Sequence, residues 1–119
     1  MLGNVVVVDD DREMGRAIER LLKASGLSTV SFSSGEALLE TNAAATADLL
    51  ILDVNMPGLS GFELRSRLLA LGVRTPVIFI TAYDDPVARA RAAASGAAGY
   101  LAKPFGSEAL LAVLAGALP

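Results

Sequence analysis

Short apolar runs alternate with longer amphipathic segments along the whole chain. The runs are Val5-Val6-Val7-Val8, Leu49-Leu50-Ile51-Leu52, Val77-Ile78-Phe79-Ile80 and Gly99-Tyr100-Leu101-Ala102. Runs of about four to six apolar residues without polar alternation predict strands covered on both faces, as in a parallel sheet. Leu27-Ser28-Thr29-Val30-Ser31-Phe32 is more polar and predicts a strand at or near an edge. The intervening segments carry helix start and stop signals. Asp10-x-x-Glu13, Ser33-x-x-Glu36 and Ser60-x-x-Glu63 have capping-box spacing, and Asp85-Pro86 offers an N-cap followed by proline at the first helical position. Gly26, Gly72 and Gly96 each fall where a helix should stop. The pattern predicts strands near 4–9, 27–32, 48–53, 76–81 and 98–102, and helices near 11–25, 34–45, 61–71, 85–95 and 107–117. Five strand-then-helix units with short connections imply right-handed crossovers and helices on both faces of the sheet. In a doubly wound parallel sheet of order 2-1-3-4-5, ligands bind in the crevice at the carboxyl ends of strands one and three.

Composition narrows the chemistry. The chain has 119 residues, 53% hydrophobic and 19% charged, and contains no cysteine, histidine or tryptophan. A domain of this size buries about two-thirds of its unfolded surface, enough for a core that needs no disulfide or structural metal. The longest charge-free stretch, twelve residues from Ala24 to Gly35, is broken by serines and glycines, so no transmembrane helix fits it. Met1-Leu2-Gly3-Asn4 has no basic n-region and Val5 to Val8 runs straight into Asp9, which argues against a signal peptide and for a cytoplasmic protein. Lacking Cys and His, the chain offers no thiolate nucleophile, no Ser-His-Asp triad, no zinc site of the usual kind and no phosphohistidine. Catalysis falls to carboxylates, hydroxyls, Lys or a hard cation. The net charge is −3 and the ten Lys and Arg residues are scattered, which speaks against direct nucleic-acid binding. Asp9, Asp10, Asp11 and Asp53 alone account for the whole excess of negative charge.

Those acids have an address. Asp9 and Asp10 close the first predicted strand, Asp53 closes the third, Thr81 ends the fourth and Lys103 follows the fifth, so distant positions converge on the ligand crevice. Like charges about 4 Å apart repel by roughly 4 kcal/mol at an effective dielectric of 20, so the cluster calls for a cation. Hard oxygen ligands in a site open to solvent suit Mg²⁺. Metal and ammonium together would neutralise phosphoryl oxygens, the Thr81 hydroxyl would donate to one of them, and a carboxylate would attack in line. Asp53 is the best nucleophile candidate, since its partners surround it.

Four pieces in order, Val7-Val8-Asp9-Asp10, Leu52-Asp53-Val54-Asn55-Met56-Pro57-Gly58 with Ser60-Gly61, Ile80-Thr81-Ala82 and Gly99-Tyr100-Leu101-Ala102-Lys103-Pro104-Phe105, resemble the receiver domains of two-component response regulators. The resemblance implies one flavodoxin-like (βα)5 receiver domain over residues 1–119, the last few residues starting a linker. It implies that Asp53 accepts a phosphoryl group from a phosphohistidine of a sensor kinase or phosphotransfer protein, as in a phosphorelay. Asp10, Asp53 and the backbone carbonyl of Asn55 would hold Mg²⁺, with Asp9 acting largely through water. Thr81, the Ala82 N–H and Lys103 would hold the phosphoryl oxygens. Thr81 and Tyr100 would switch, remodelling the face of the fourth predicted helix, fifth strand and fifth helix, through which a homodimer is plausible. The Lys103-Pro104 peptide would be cis. Such a domain catalyses only its own phosphorylation and slow dephosphorylation. The wording around Asp53 and Lys103 is similar to receivers of the nitrogen-fixation-regulator type, whose output is a helix-turn-helix module. The expectation is therefore the regulatory part of a larger transcriptional regulator, with a stand-alone regulator as the alternative.

Plainer roles stand beside these. Asp10 with Glu13 reads equally as a helix cap, Asp11 as a solvated first-turn acid, and Tyr100 as a packing residue on an edge strand. Asn55 and Tyr83 lie two residues after Asp53 and Thr81, where the resemblance implies an influence on phosphate lifetime. Asp53-Val54-Asn55 loosely resembles the Asp-x-Asp of haloacid-dehalogenase-like phosphatases, but the second carboxylate is an amide here. A docking module that is never phosphorylated is the third reading, against which the complete chemical set speaks.

Overall fold

The computed structural model describes residues 3–118. Met1, Leu2 and Pro119, the last of which the sequence assigns to the start of a linker, lie outside the described residues. Strands β1 (Asn4–Val8), β2 (Ser28–Phe32), β3 (Leu49–Asp53), β4 (Val77–Thr81) and β5 (Gly99–Ala102) form one parallel sheet in the order β2-β1-β3-β4-β5. The helices are α1 (Arg12–Ala24), α2 (Gly35–Leu39), α3 (Ala43–Thr46), α4 (Gly61–Ala70), α5 (Pro86–Ala94) and α6 (Ser107–Ala117).

The absence of alternation in the central strands has a direct cause. Val6, Val8, Leu50, Leu52 and Phe79 pack toward Leu38, Leu64, Leu68 and Ala92 on one face. Val5, Val7, Ile51, Ile78 and Ile80 pack toward Ile18, Leu22, Leu110 and Leu114 on the other. A strand buried from both sides has no solvent face to mark with polar residues. The more polar β2 lies at one edge, with Val30 48% exposed.

Local chemistry sets the helix ends and corrects three expectations. Asp11, not Asp10, caps α1: its carboxylate accepts from the N–H groups of Glu13 and Met14 at 3.0 and 3.3 Å. Ser34, not Ser33, caps α2, and Glu36 does not close a box there but accepts from the Leu59 N–H at 3.3 Å. The single helix expected over 34–45 is two short ones. The Thr41 hydroxyl donates to the Leu38 carbonyl at 2.9 Å and accepts from the Ala43 N–H at 3.2 Å, so its side chain ends α2 and starts α3. Threonine hydroxyls compete in this way with helical backbone bonding. The Ser60–Glu63 capping box and the Asp85 cap with Pro86 after it are both present.

Asp11→Ala is expected to lower stability by about 1 kcal/mol, the usual value of a lost N-cap. Urea unfolding checks it. The neighbouring acids keep their places, because the Asp11 contact with Asp9 is made by its backbone N–H, at 2.9 Å.

Candidate functional site: an acidic cluster facing a lysine

The parallel register sets the reactive side chains at one end of the sheet. Val8 is level with Leu52, which brings Asp9 beside Asp53; Asp53 is level with Ile80, and Thr81 with Ala102. Lys103 then follows directly, its N–H donating to the Thr81 carbonyl at 2.7 Å. The Lys103–Pro104 peptide is cis. One ligand oxygen from each of Asp9, Asp10 and Asp53 lies within 4.8 Å of the others. Asp9 and Asp53 are buried, while Asp10 is exposed and opens the cluster to solvent. With Asp11 serving as the cap, the carboxylate of Asp10 is left for the cluster.

The Lys103 ammonium enters this cluster, donating to Asp9 at 2.9 Å and lying 3.5 Å from Asp53. Burial alone would lower its proton affinity, but the hydrogen bond and charge of Asp9, then of Asp53, reverse that and raise its pKa. Asp53 goes the other way from an ordinary carboxylate. Burial, then the neighbouring Asp9 charge, push its pKa up to about 7, against the opposing pull of Lys103 and the Asn55 N–H. A carboxylate so reluctant to ionise is a position suited to a further positive charge. Three hard-oxygen donors, one of them solvent-facing, fit a divalent ion such as Mg²⁺.

Thr81 is fully buried, and its hydroxyl accepts from the Asn55 side-chain amide at 2.8 Å and from the Tyr83 N–H at 3.0 Å. Asn55 also donates its backbone N–H to Asp53 at 3.2 Å, so it joins two of the expected site residues. Ala82 is exposed beside them, and Tyr83 is 72% exposed. Tyr100 stands apart, half-buried, with its phenol donating to Asp84 at 3.0 Å and the Arg89 guanidinium 5.0 Å from its ring centre. Asp84 and Arg89 were not singled out by the sequence. A carboxylate three positions after Thr81 and an arginine on the next helix were the available signal.

A doubly wound α/β domain with paired acids at the switch-point crevice and a lysine after its last strand is a narrow class, and comparison with known proteins names it. Residues 5–115 match the response regulator receiver domain family. Nodulation protein W of Bradyrhizobium diazoefficiens is 38% identical over 107 residues, which cover 90% of this chain and 47% of that protein. The DNA-binding transcriptional regulator NtrC of Escherichia coli is 38% identical over 112 residues, 94% of this chain and 24% of that one. The structure of Vibrio cholerae chemotaxis protein CheY4 matches with a TM-score of 0.89 at 30% identity, over 99% of this chain and 100% of the other. The chain belongs to the response regulator receiver family and is a receiver domain of two-component signalling. It spans less than half the length of the two curated relatives named. Among the described residues no helix is long and apolar enough to cross a membrane.

Proposed function

We propose that Asp53 is the phosphoacceptor of this receiver, charged by a phosphohistidine on a partner kinase or phosphotransfer protein. The observation that carries the reading is the buried Asp53 carboxylate with two further acids beside it and the Lys103 ammonium 3.5 Å away. An oxygen of Asp53 attacks phosphorus, the P–N bond to the donor histidine breaks, and the released imidazole nitrogen recovers a proton. Asp10, Asp53 and the Asn55 carbonyl would hold Mg²⁺, with Asp9 acting through water. When bound, the ion neutralises charge on the phosphoryl oxygens. Lys103 supplies the second positive charge at those oxygens, the Thr81 hydroxyl donates to one of them, and the Ala82 N–H to another. The Thr81 hydroxyl accepts from Asn55 and Tyr83, so turning it toward the phosphoryl group draws on both bonds and couples acyl phosphate formation to the segment after β4. The lengths of Nodulation protein W and NtrC support residues 1–119 acting as one receiver within a larger transcriptional regulator, whose output answers the state of Asp53.

Intact mass after incubation with acetyl phosphate tests the assignment. The expected result is a gain of one phosphoryl group that requires both Mg²⁺ and Asp53, and is absent in Asp53→Asn. No adduct, or an adduct that survives the substitution, would overturn it. Multiple turnover with release of free phosphate would mark a phosphatase instead.

A further inference from the structure

Helix α5 is the most lightly anchored long element of the domain: Ala92 is its single buried residue. Much of its attachment comes from two arginines. The Arg91 guanidinium lies 4.5 Å from the ring centre of Phe62 on α4. Arg89 makes a fork with Asp84, Nε and Nη2 donating to the two carboxylate oxygens at 2.8 Å each, and its guanidinium also sits over the Tyr100 ring of β5. The phenol completes the triangle by donating to Asp84 at 3.0 Å. Asp84, Arg89 and Tyr100 therefore brace one another across three elements: the segment after β4, α5 and β5.

That brace is mechanically continuous with the site. Asp84 is three residues from Thr81, and the Tyr83 N–H between them donates to the Thr81 hydroxyl at 3.0 Å. A threonine that turns toward a phosphoryl group gives up this bond and pulls on the segment that carries the Asp84 carboxylate. Tyr100 and Arg89 also line a cleft of about 200 Å³ with Ala92, Ala93 and Ala97, so a released ring has small neighbours to move among.

We propose that Asp84 and Arg89 are positioning residues that clamp Tyr100 in the unphosphorylated arrangement and so restrain phosphorylation of Asp53. The inference rests on Asp53 being the phosphoacceptor and adds what sets its readiness. Two-state coupling makes the direction definite: an interaction made only in the resting state, once removed, raises the population of the other state and the ease of reaching it.

Burial, then the Asp84 hydrogen bond and charge, hold the Tyr100 phenol above the usual tyrosine range, with Arg89 opposing and Asp85 adding to Asp84. This gives a readout independent of phosphorylation. In a Tyr83→Phe background, ultraviolet titration of Tyr100 in Asp84→Ala is expected to move to lower pH. Acetyl phosphate incorporation should be faster by about fivefold, within the usual range of such couplings, in Asp84→Ala, Arg89→Gln and Tyr100→Phe. Asp84→Ala combined with Tyr100→Phe should be no faster than Asp84→Ala alone, since that single variant already removes the phenol's hydrogen bond. An unmoved phenol titration, unchanged or slower incorporation, or gains that multiply in the double variant would overturn the clamp. Failure of the phosphoacceptor assignment looks different, with no adduct in any of these proteins.

Discussion

Stripped of divalent cations, the protein is expected to lose stability as the pH rises from about 5 to about 8, the opposite of the usual behaviour of a carboxylate site. Asp53 has its pKa raised to about 7 by burial and by Asp9, so between its unfolded value and about 7 the folded state holds the proton more tightly. Stability falls with pH wherever the folded state binds more protons than the unfolded one. Across that range the loss is on the order of 3 kcal/mol, complete by about pH 8, because each tenfold change in proton affinity corresponds to 1.36 kcal/mol. Glu63 and Asp84, whose pKa values are lowered, act with the opposite sign only in more acidic solution, where they are protonated. Added Mg²⁺ should cancel the decline, since a ligand at a hundredfold over its Kd contributes about 2.7 kcal/mol. Urea midpoints with EDTA and with millimolar Mg²⁺ across this range check both halves. Asp10→Ala should be more stable than the parent in EDTA and lose most of the Mg²⁺ response. A flat profile in EDTA, or a full Mg²⁺ response in that variant, would remove the acids from the ligand set.

Gly61→Ala is expected to cost about 2 to 3 kcal/mol, in the upper range for overpacking a tight contact. A Cβ at this first residue of α4 would sit on the Asp53 carbonyl oxygen, 3.0 Å from its carbon and 3.1 Å from the Cα of Val54. The obstacle is backbone at the end of a central strand, so no side chain can swing aside. The Gly61 N–H donates to the Val54 carbonyl at 3.0 Å, which fixes the approach from the other direction. Relief must come from moving the 53–61 segment, and with it Asn55 and the Asp53 side chain. Urea unfolding should show the destabilisation, and the Mg²⁺ midpoint should rise with it. Gly116→Ala in α6, where a Cβ meets nothing within 4 Å, is the control and should be neutral or slightly stabilising. Equal behaviour of the two variants would refute the close-packing account.

The acidic site was legible because its parts sit at strand ends, and strand ends follow from uninterrupted apolar runs. Asp9, Asp53, Thr81 and Lys103 could be assembled from the order of strands alone. What escaped depended on side chains meeting across elements. Spacing to Glu13 points to Asp10 as the cap and makes Asp11 a first-turn acid, and the backbone path into α1 gives the cap to Asp11. Thr41 reads as a tolerable helix residue until its hydroxyl is seen bonding at both ends of a break. The Asp84–Arg89–Tyr100 brace and the reach of Glu36 to Leu59 join residues whose proximity no local spacing encodes.

The two apolar layers lie on opposite faces of the strands between them. The helices on one side, α1 and α6, build one buried layer and α2 to α5 build the other, yet both sides border the same acidic crevice at the end of the sheet. Effects of changes in separate, non-touching regions add. Mutational drift on the outer face of α1 is therefore free to retune what that surface recognises while α5 keeps its own response, a separability that lets one site be rewired between inputs and outputs.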